Sequence, residues 1–81
     1  MRRFKIKLQN QENIAALIGA AEKLNGDVDM VCGRYTVDAR SLLGIMSIDL
    51  NRECFIVVHN DDGVAEFREK IKKFTLSEEQ E

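Results

Sequence analysis

The chain has 81 residues, enough for one small domain whose core needs most of its large apolar side chains. Its 12 basic residues are mixed with 14 acidic ones, for a net charge of −2, whereas a nucleic-acid binder would show a basic face. No apolar run approaches the roughly 20 residues of a membrane span, and no apolar block of a signal peptide follows Met1. We therefore expect a cytoplasmic protein that binds neither nucleic acid nor membrane.

The first half of the chain predicts a strand, a helix and two further strands. Phe4, Ile6 and Leu8 alternate with polar residues, which is the period of a strand with one buried face. A polar break follows, in which either Asn10 or Asn13 can cap the next helix. Apolar residues then recur at helical spacing as Ile14, Leu17, Ile18, Ala21 and Leu24. Two short strands over residues 27–32 and 35–39 are joined by a turn at 33–34.

The second half predicts a short helix, a strand and a longer helix. Ser41 is suited to cap a helical turn over the apolar residues that follow it. Residues 54–59 are the most β-prone run, and Asp61 or Asp62 is expected to cap the last helix. The apolar stripe of that helix is Val64, Phe67, Ile71 and Phe74. Residues 76–81 are charged and are expected to form a frayed tail of the single domain 1–81.

The predicted order is therefore βαββαβα. Helices and strands that each have one apolar face imply two layers, and short loops favour antiparallel neighbours. We expect an α+β domain in which a four-stranded antiparallel sheet carries three helices on one face. The two cysteines, Cys32 and Cys54, fit neither a disulfide framework nor a metal site. They are interpreted as reduced, partly buried thiols. This topology would let them approach each other, but a redox pair would need unusually acidic thiols, which no adjacent sequence feature suggests.

The segment 41–48 contains more apolar residues than a short helix can bury. Ile45 and Ile48 are expected to point inward, which leaves Leu42, Leu43 and Met46 at least partly exposed. An exposed apolar patch of this kind usually marks a site for a partner, and methionine can repack against different partners. The alternative is that these residues belong to an ordinary core.

The same segment, Ser-Leu-Leu-Gly-Ile-Met-Ser-Ile, resembles the region around the regulatory serine of HPr, the histidine phosphocarrier of the bacterial sugar phosphotransferase system. The resemblance in element order extends over roughly residues 3–75, whereas the specific motif is confined to 40–48. It implies the open-faced β-sandwich of that family, in which four antiparallel strands carry three helices.

The resemblance does not extend to the family's phosphorylated histidine. The family's spacing places Asn10 at the position of that histidine and Glu12 at the position of an arginine. An amide is not nucleophilic enough to accept a phosphoryl group, and a carboxylate would repel a phosphate. We therefore expect no catalytic residue, no enzyme activity and no cofactor or metal.

The resemblance implies instead that Ser41 is a site of regulatory phosphorylation by an ATP-dependent kinase. A phosphate there would lie beside Arg40 and the first N–H groups of the helix. Leu42, Leu43 and Met46 match the docking residues of the family, and Ser47 and Arg40, which flank them, are also expected to bind the partner. The implied partners are proteins, namely a phosphotransferase-system enzyme, an HPr-type kinase or a transcriptional regulator, and the chain is expected to be a monomer.

Two other functions remain open from the sequence. His59, the one histidine, is the remaining candidate for a phosphoryl carrier, although a half-exposed histidine at a strand end is the simpler interpretation. The third possibility is a structural domain that has kept the fold and lost both activities.

Overall fold

A five-stranded antiparallel sheet forms the framework of the computed structural model, which describes residues 1–80. The strands are β1 (Arg2–Ile6), β2 (Val28–Cys32), β3 (Tyr35–Asp38), β4 (Cys54–Val58) and β5 (Thr75–Gln80), in the spatial order β3-β2-β4-β1-β5. The helices are α1 (Gln11–Glu22), α2 (Leu42–Met46) and α3 (Val64–Ile71), and a 3₁₀ turn, Lys72–Phe74, follows α3. The predicted α+β class is confirmed.

The core forms where the alternating strand residues meet the apolar stripes of the helices. Every second residue of the three central strands is buried, namely Phe4, Ile6, Val28, Met30, Cys32, Cys54, Ile56 and Val58. The predicted stripe of α3 is also buried, and the rings of Phe67 and Phe4 pack edge to face with their centroids 5.6 Å apart. The period-two and helical patterns therefore predicted the core correctly.

The expectation of four strands and a frayed tail over residues 76–81 was wrong. Residues 75–80 form β5, which pairs with β1, and Glu81 lies outside the described residues. Ion pairs hold this strand in place of apolar burial. The carboxylate of Glu78 accepts two hydrogen bonds from Arg68, at 2.6 and 2.9 Å, and a third from Arg2 at 3.2 Å. The residues of β5 show no apolar alternation, so the sequence did not predict a strand there. The groups that β5 contacts lie on β1 and α3, far away in the sequence.

The expected N-cap of the last helix was also wrong. Neither Asp61 nor Asp62 caps α3, because the N-cap is Gly63, whose φ of 84° is a left-handed conformation that glycine adopts easily.

The two cysteines are joined in a disulfide bond, in contrast to the expected reduced thiols. β2 and β4 are antiparallel neighbours, and Val31 pairs with Phe55 in their register. The next position along this register therefore sets Cys32 against Cys54, with their Cα atoms 4.6 Å apart. The proximity follows from the topology, whereas the covalent bond was not expected from the sequence.

No helix within residues 1–80 is long and apolar enough to cross a membrane.

The Glu78 ion pairs predict an acid-dependent loss of stability. Hydrogen bonds from Arg68 hold the pKa of Glu78 below its ordinary value, and the charges of Arg68 and Arg2 add to this effect. Because the pKa is lower in the folded state, the stabilisation is present above the unfolded pKa of about 4.3 and is lost as pH falls through the folded value. Urea unfolding of wild type and Glu78→Gln should show a difference in unfolding free energy at pH 7 that shrinks below about pH 4.

Glu22→Gln is the matched control, because Glu22 is an exposed carboxylate at the end of α1. It should show no comparable dependence on pH. A difference between wild type and Glu78→Gln that stays constant from pH 7 to pH 3 would contradict the assignment.

Candidate functional site

The candidate site is the short helix α2 and the surface around it. The hydroxyl oxygen of Ser41 accepts a hydrogen bond from the backbone N–H of Gly44 at 3.1 Å, which confirms the predicted N-cap. At the other end, the Ser47 hydroxyl donates to the carbonyl of Gly44 at 2.6 Å. The two serines therefore cap the two ends of this short helix. Ser41 is half-buried, and Ser47 is exposed.

The apolar residues of α2 divide between the core and the surface as predicted. Ile45 is completely buried, and Ile48 is partly buried against the core. Leu43 is 83 % exposed, and Leu42 and Met46 are each about half exposed, at 52 % and 54 %. These three side chains, Leu42, Leu43 and Met46, form what we call the α2 patch.

A groove continues the α2 patch onto the first turns of α1. It has a volume of about 260 Å³ and is lined by Gln11, Ile14 and Ala15 of α1 and by Leu42 and Met46 of α2. Most of this lining is apolar, so the groove can receive an apolar side chain from a partner. The patch and the groove together form one continuous surface.

Gly44 explains why the apolar run of α2 is interrupted. A Cβ atom at this position would lie 3.1 Å from Cβ of Val37 and 3.2 Å from Oγ of Ser41. Both separations are shorter than an ordinary van der Waals contact, so a larger residue would push α2 away from β3. Glycine at this position therefore sets how closely the helix approaches the sheet.

Arg40 has a different role from the expected one beside a phosphate on Ser41. Its guanidinium group donates hydrogen bonds to three backbone carbonyls, that of Ala21 in the last turn of α1 and those of Leu24 and Gly26 just after the helix, at 3.1, 2.9 and 2.8 Å. Carbonyls at a helix C-terminus lack partners within the helix, and a cation satisfies them well. Arg40 thus joins the end of α1 and the loop after it to Ser41, the residue that caps α2.

Asn10 lies at the N-terminus of α1, where the family's spacing placed it, and its side chain is the cap of that helix. Its amide oxygen accepts from the backbone N–H of Asn13 at 2.9 Å, so of the two candidate caps the structure uses Asn10. Asn13 is buried, and its amide donates to the carbonyl of Leu8 at 2.6 Å. Glu12 is exposed in the first turn of α1. The N-terminus of α1 therefore carries the amide of Asn10 and the carboxylate of Glu12.

His59 lies at the other end of the sheet from Asn10. β1 and β4 are antiparallel, with Arg2 opposite Val58 and Ile6 opposite Cys54, so the residue after Val58 is far from the start of α1. The Nε2 atom of His59 is 3.0 Å from a carboxylate oxygen of Asp29. A carboxylate at this distance would repel a phosphoryl group on that nitrogen. The geometry therefore gives no support to His59 as a phosphoryl carrier.

No group of three or more His, Cys, Asp or Glu side chains that could hold a metal ion is found among the described residues.

The sequence reasoning missed two features next to the site, the disulfide bond and the three carbonyls bound by Arg40. The second had no local signal, because Arg40 and its acceptors are separated by 14 to 19 positions.

No protein-family model matches the chain, and no curated protein matches it significantly.

The hydrogen bonds of Arg40 predict a structural role that can be measured. Arg40→Ala should lower the free energy of unfolding by about 2 kcal/mol, because three carbonyls lose a charged donor. Arg34→Ala is the control, since Arg34 lies exposed at the tip of the β2–β3 hairpin and its loss should change stability by less than about 0.5 kcal/mol. Equal losses for the two variants in urea unfolding would show that the hydrogen bonds of Arg40 add nothing to stability.

Proposed function

We propose that the chain is an HPr-like module that binds protein partners through the α2 patch and is switched by phosphorylation of Ser41. The observation that carries this proposal is the exposure of Leu43, Leu42 and Met46 on a helix anchored by buried Ile45. Exposed apolar residues beside a lined groove are unfavourable in water unless a partner covers them at some stage. The partners are those of the resemblance, a phosphotransferase-system enzyme, an HPr-type kinase or a transcriptional regulator.

The resemblance in element order also supports the proposal. The first seven elements follow the order βαββαβα, the order expected for the HPr fold, and β5 is an addition at the edge beside β1. The proposal includes membership of this fold family. The sequence motif of that family, residues 40–48, falls on α2 and its two serine caps.

Phosphorylation of Ser41 would change the charge of the docking surface, because Ser41 lies at the edge of the α2 patch. The Ser41 hydroxyl caps α2 and is partly exposed, and Leu42 and Leu43 follow it directly. A phosphate there would place close to two negative charges at the edge of an apolar patch. Such a change weakens docking to a partner with an apolar or acidic surface and strengthens docking to one that offers arginine.

The proposal assigns no phosphoryl transfer through a side chain of α1. The amide nitrogen of Asn10 is a poor nucleophile, and its oxygen is already an acceptor within the helix cap. Glu12 adds a negative charge close by, which opposes binding of a donor phosphate.

The phosphorylation is tested with an HPr-type kinase and ATP, by intact-mass spectrometry of the purified chain. We expect one added phosphoryl group in wild type and none in Ser41→Ala. Ser47→Ala is the matched control, because Ser47 caps the other end of the same helix and should leave the modification unchanged. Phosphate that persists in Ser41→Ala, or no phosphate on wild type, would contradict the switch.

The docking surface is tested by the affinity for the same kinase, measured calorimetrically. Leu43→Ser should weaken binding by about tenfold or more, as is usual for a central contact residue. It should leave the stability of the free chain almost unchanged, because Leu43 is 83 % exposed.

Leu76→Ser is the matched control for Leu43→Ser. Leu76 is also an exposed leucine, at 53 %, but it belongs to β5 and not to the α2 patch. Equal weakening by the two substitutions would show that the effect is nonspecific, and unchanged binding by Leu43→Ser would exclude the patch.

A further inference from the structure

The pairing of β2 with β4 holds the two cysteines close together whether or not the disulfide bond is present. Cys32 ends β2 and Cys54 begins β4, and pairs from Val28 with Val58 to Val31 with Phe55 join these strands. The Cα separation of 4.6 Å is close to the roughly 4.5 Å of directly opposed residues in a narrow antiparallel pair. Reduction would therefore leave two thiols facing each other, and the bond can reform without a movement of the backbone.

An open cleft is bordered by one of the two cysteines, Cys32. It has a volume of about 320 Å³, lies between the edge of β3 and the segment after α2, and is lined by Cys32, Tyr35, Val37, Ser47, Ile48, Asp49 and Arg52. Both cysteines are almost completely buried, at 1 % and 3 % exposure, so access depends on such an opening. Cys32 borders the cleft and Cys54 does not.

A guanidinium group and a carboxylate both border the cleft that Cys32 lines. The guanidinium group of Arg52 lies against Gly33, the residue next to Cys32, and brings a positive charge to the cleft. A nearby cation favours the thiolate, which is the nucleophile in disulfide exchange. Asp49 also borders the cleft, and its carboxylate accepts from the backbone N–H of Asn51 at 2.9 Å.

The surroundings of Cys54 favour the protonated thiol instead. Its sulfur lies 3.8 Å from the backbone carbonyl oxygen of Arg52. In the reduced protein this oxygen can accept a hydrogen bond from the thiol, which a thiolate would lose. Cys32 is thus the cysteine that borders the cleft, and Cys54 is the one whose sulfur lies against the backbone carbonyl of Arg52.

We infer that the Cys32–Cys54 bond is a reversible exchange site for low-molecular-weight thiols and disulfides of the glutathione class. In the oxidising direction, the Cys32 thiolate attacks one sulfur of the small disulfide. A bond forms between Cys32 and that sulfur, the small disulfide bond breaks, and one small thiolate leaves.

The resolving step closes the protein disulfide. Cys54 loses its proton to solvent and attacks the sulfur of Cys32, and the second small thiolate leaves with the electron pair of the broken bond. The protein dithiol has then lost two electrons and two protons, and the small disulfide has become two thiols. Reduction runs through the same mixed disulfide on Cys32 in reverse.

This inference is independent of the proposed docking function, although the two surfaces adjoin. Ser47 and Ile48, which border the cleft, follow directly after α2. The 22 positions from Cys32 to Cys54 contain β3 and α2, so the bond closes the loop that carries the α2 patch.

The first test uses the wild-type chain in buffers of reduced and oxidised glutathione, quenched with acid, alkylated and mapped by mass spectrometry. We expect the bond to open in the folded protein in excess reduced glutathione, a transient adduct on Cys32, and complete return of the bond in oxidised glutathione. A bond that stays closed in the folded protein, or an adduct on Cys54, would overturn the inference.

The second test compares single variants. Cys54→Ser keeps Cys32 as a thiol, and Cys32→Ser keeps Cys54, so the two are matched in composition and in the loss of the bond. The mixed disulfide with oxidised glutathione should form at least roughly tenfold faster in Cys54→Ser, because exchange follows access and thiolate character. Equal rates, or a faster reaction in Cys32→Ser, would overturn the assignment of the exchanging thiol. Circular dichroism of both variants checks that each remains folded.

Discussion

The helix α2 has five residues and attaches to the domain through one completely buried side chain, Ile45. This constraint determines much of the surface. A helix of little more than one turn has room for one inward direction, so its remaining large apolar residues must face solvent. The α2 patch is therefore a consequence of helix length combined with composition, and the adjoining groove with α1 enlarges it.

A helix this short is not stable by itself, because the nucleation of a single turn is unfavourable. The structure supplies the missing stabilisation from three directions. Ser41 and Ser47 satisfy backbone groups at the two ends of the helix. Gly44 allows a close approach to Val37. Arg40, the residue before the Ser41 cap, is hydrogen-bonded to the last turn of α1. The patch is thus presented on a positioned element, and a partner would not have to order it first.

Several features of interest share one end of the sheet. β1 ends opposite the start of β4, so the N-terminus of α1 and the disulfide bond lie at that end. A hydrogen bond of 2.8 Å from the backbone N–H of Gln9 to the carbonyl of Leu50 joins the loop before α1 to the loop after α2. His59 lies at the opposite end, beside Asp29. The geometry thus places His59 at one end of the sheet, and the N-terminus of α1 and the disulfide bond at the other.

The sequence by itself determined the elements whose signals are local. Period-two alternation predicted the central strands, helical spacing predicted α1 and α3, and a serine before an apolar run predicted the capped helix with Leu43 exposed. The tertiary structure alone decided the features that depend on distant partners. β5 pairs with β1 and its Glu78 meets Arg68 and Arg2, the guanidinium of Arg40 turns to carbonyls in and just after the last turn of α1, and Cys32 bonds to Cys54 across two strands. Periodicity reports which face of an element is apolar, but it carries no information about which charged group or sulfur the fold will place opposite it.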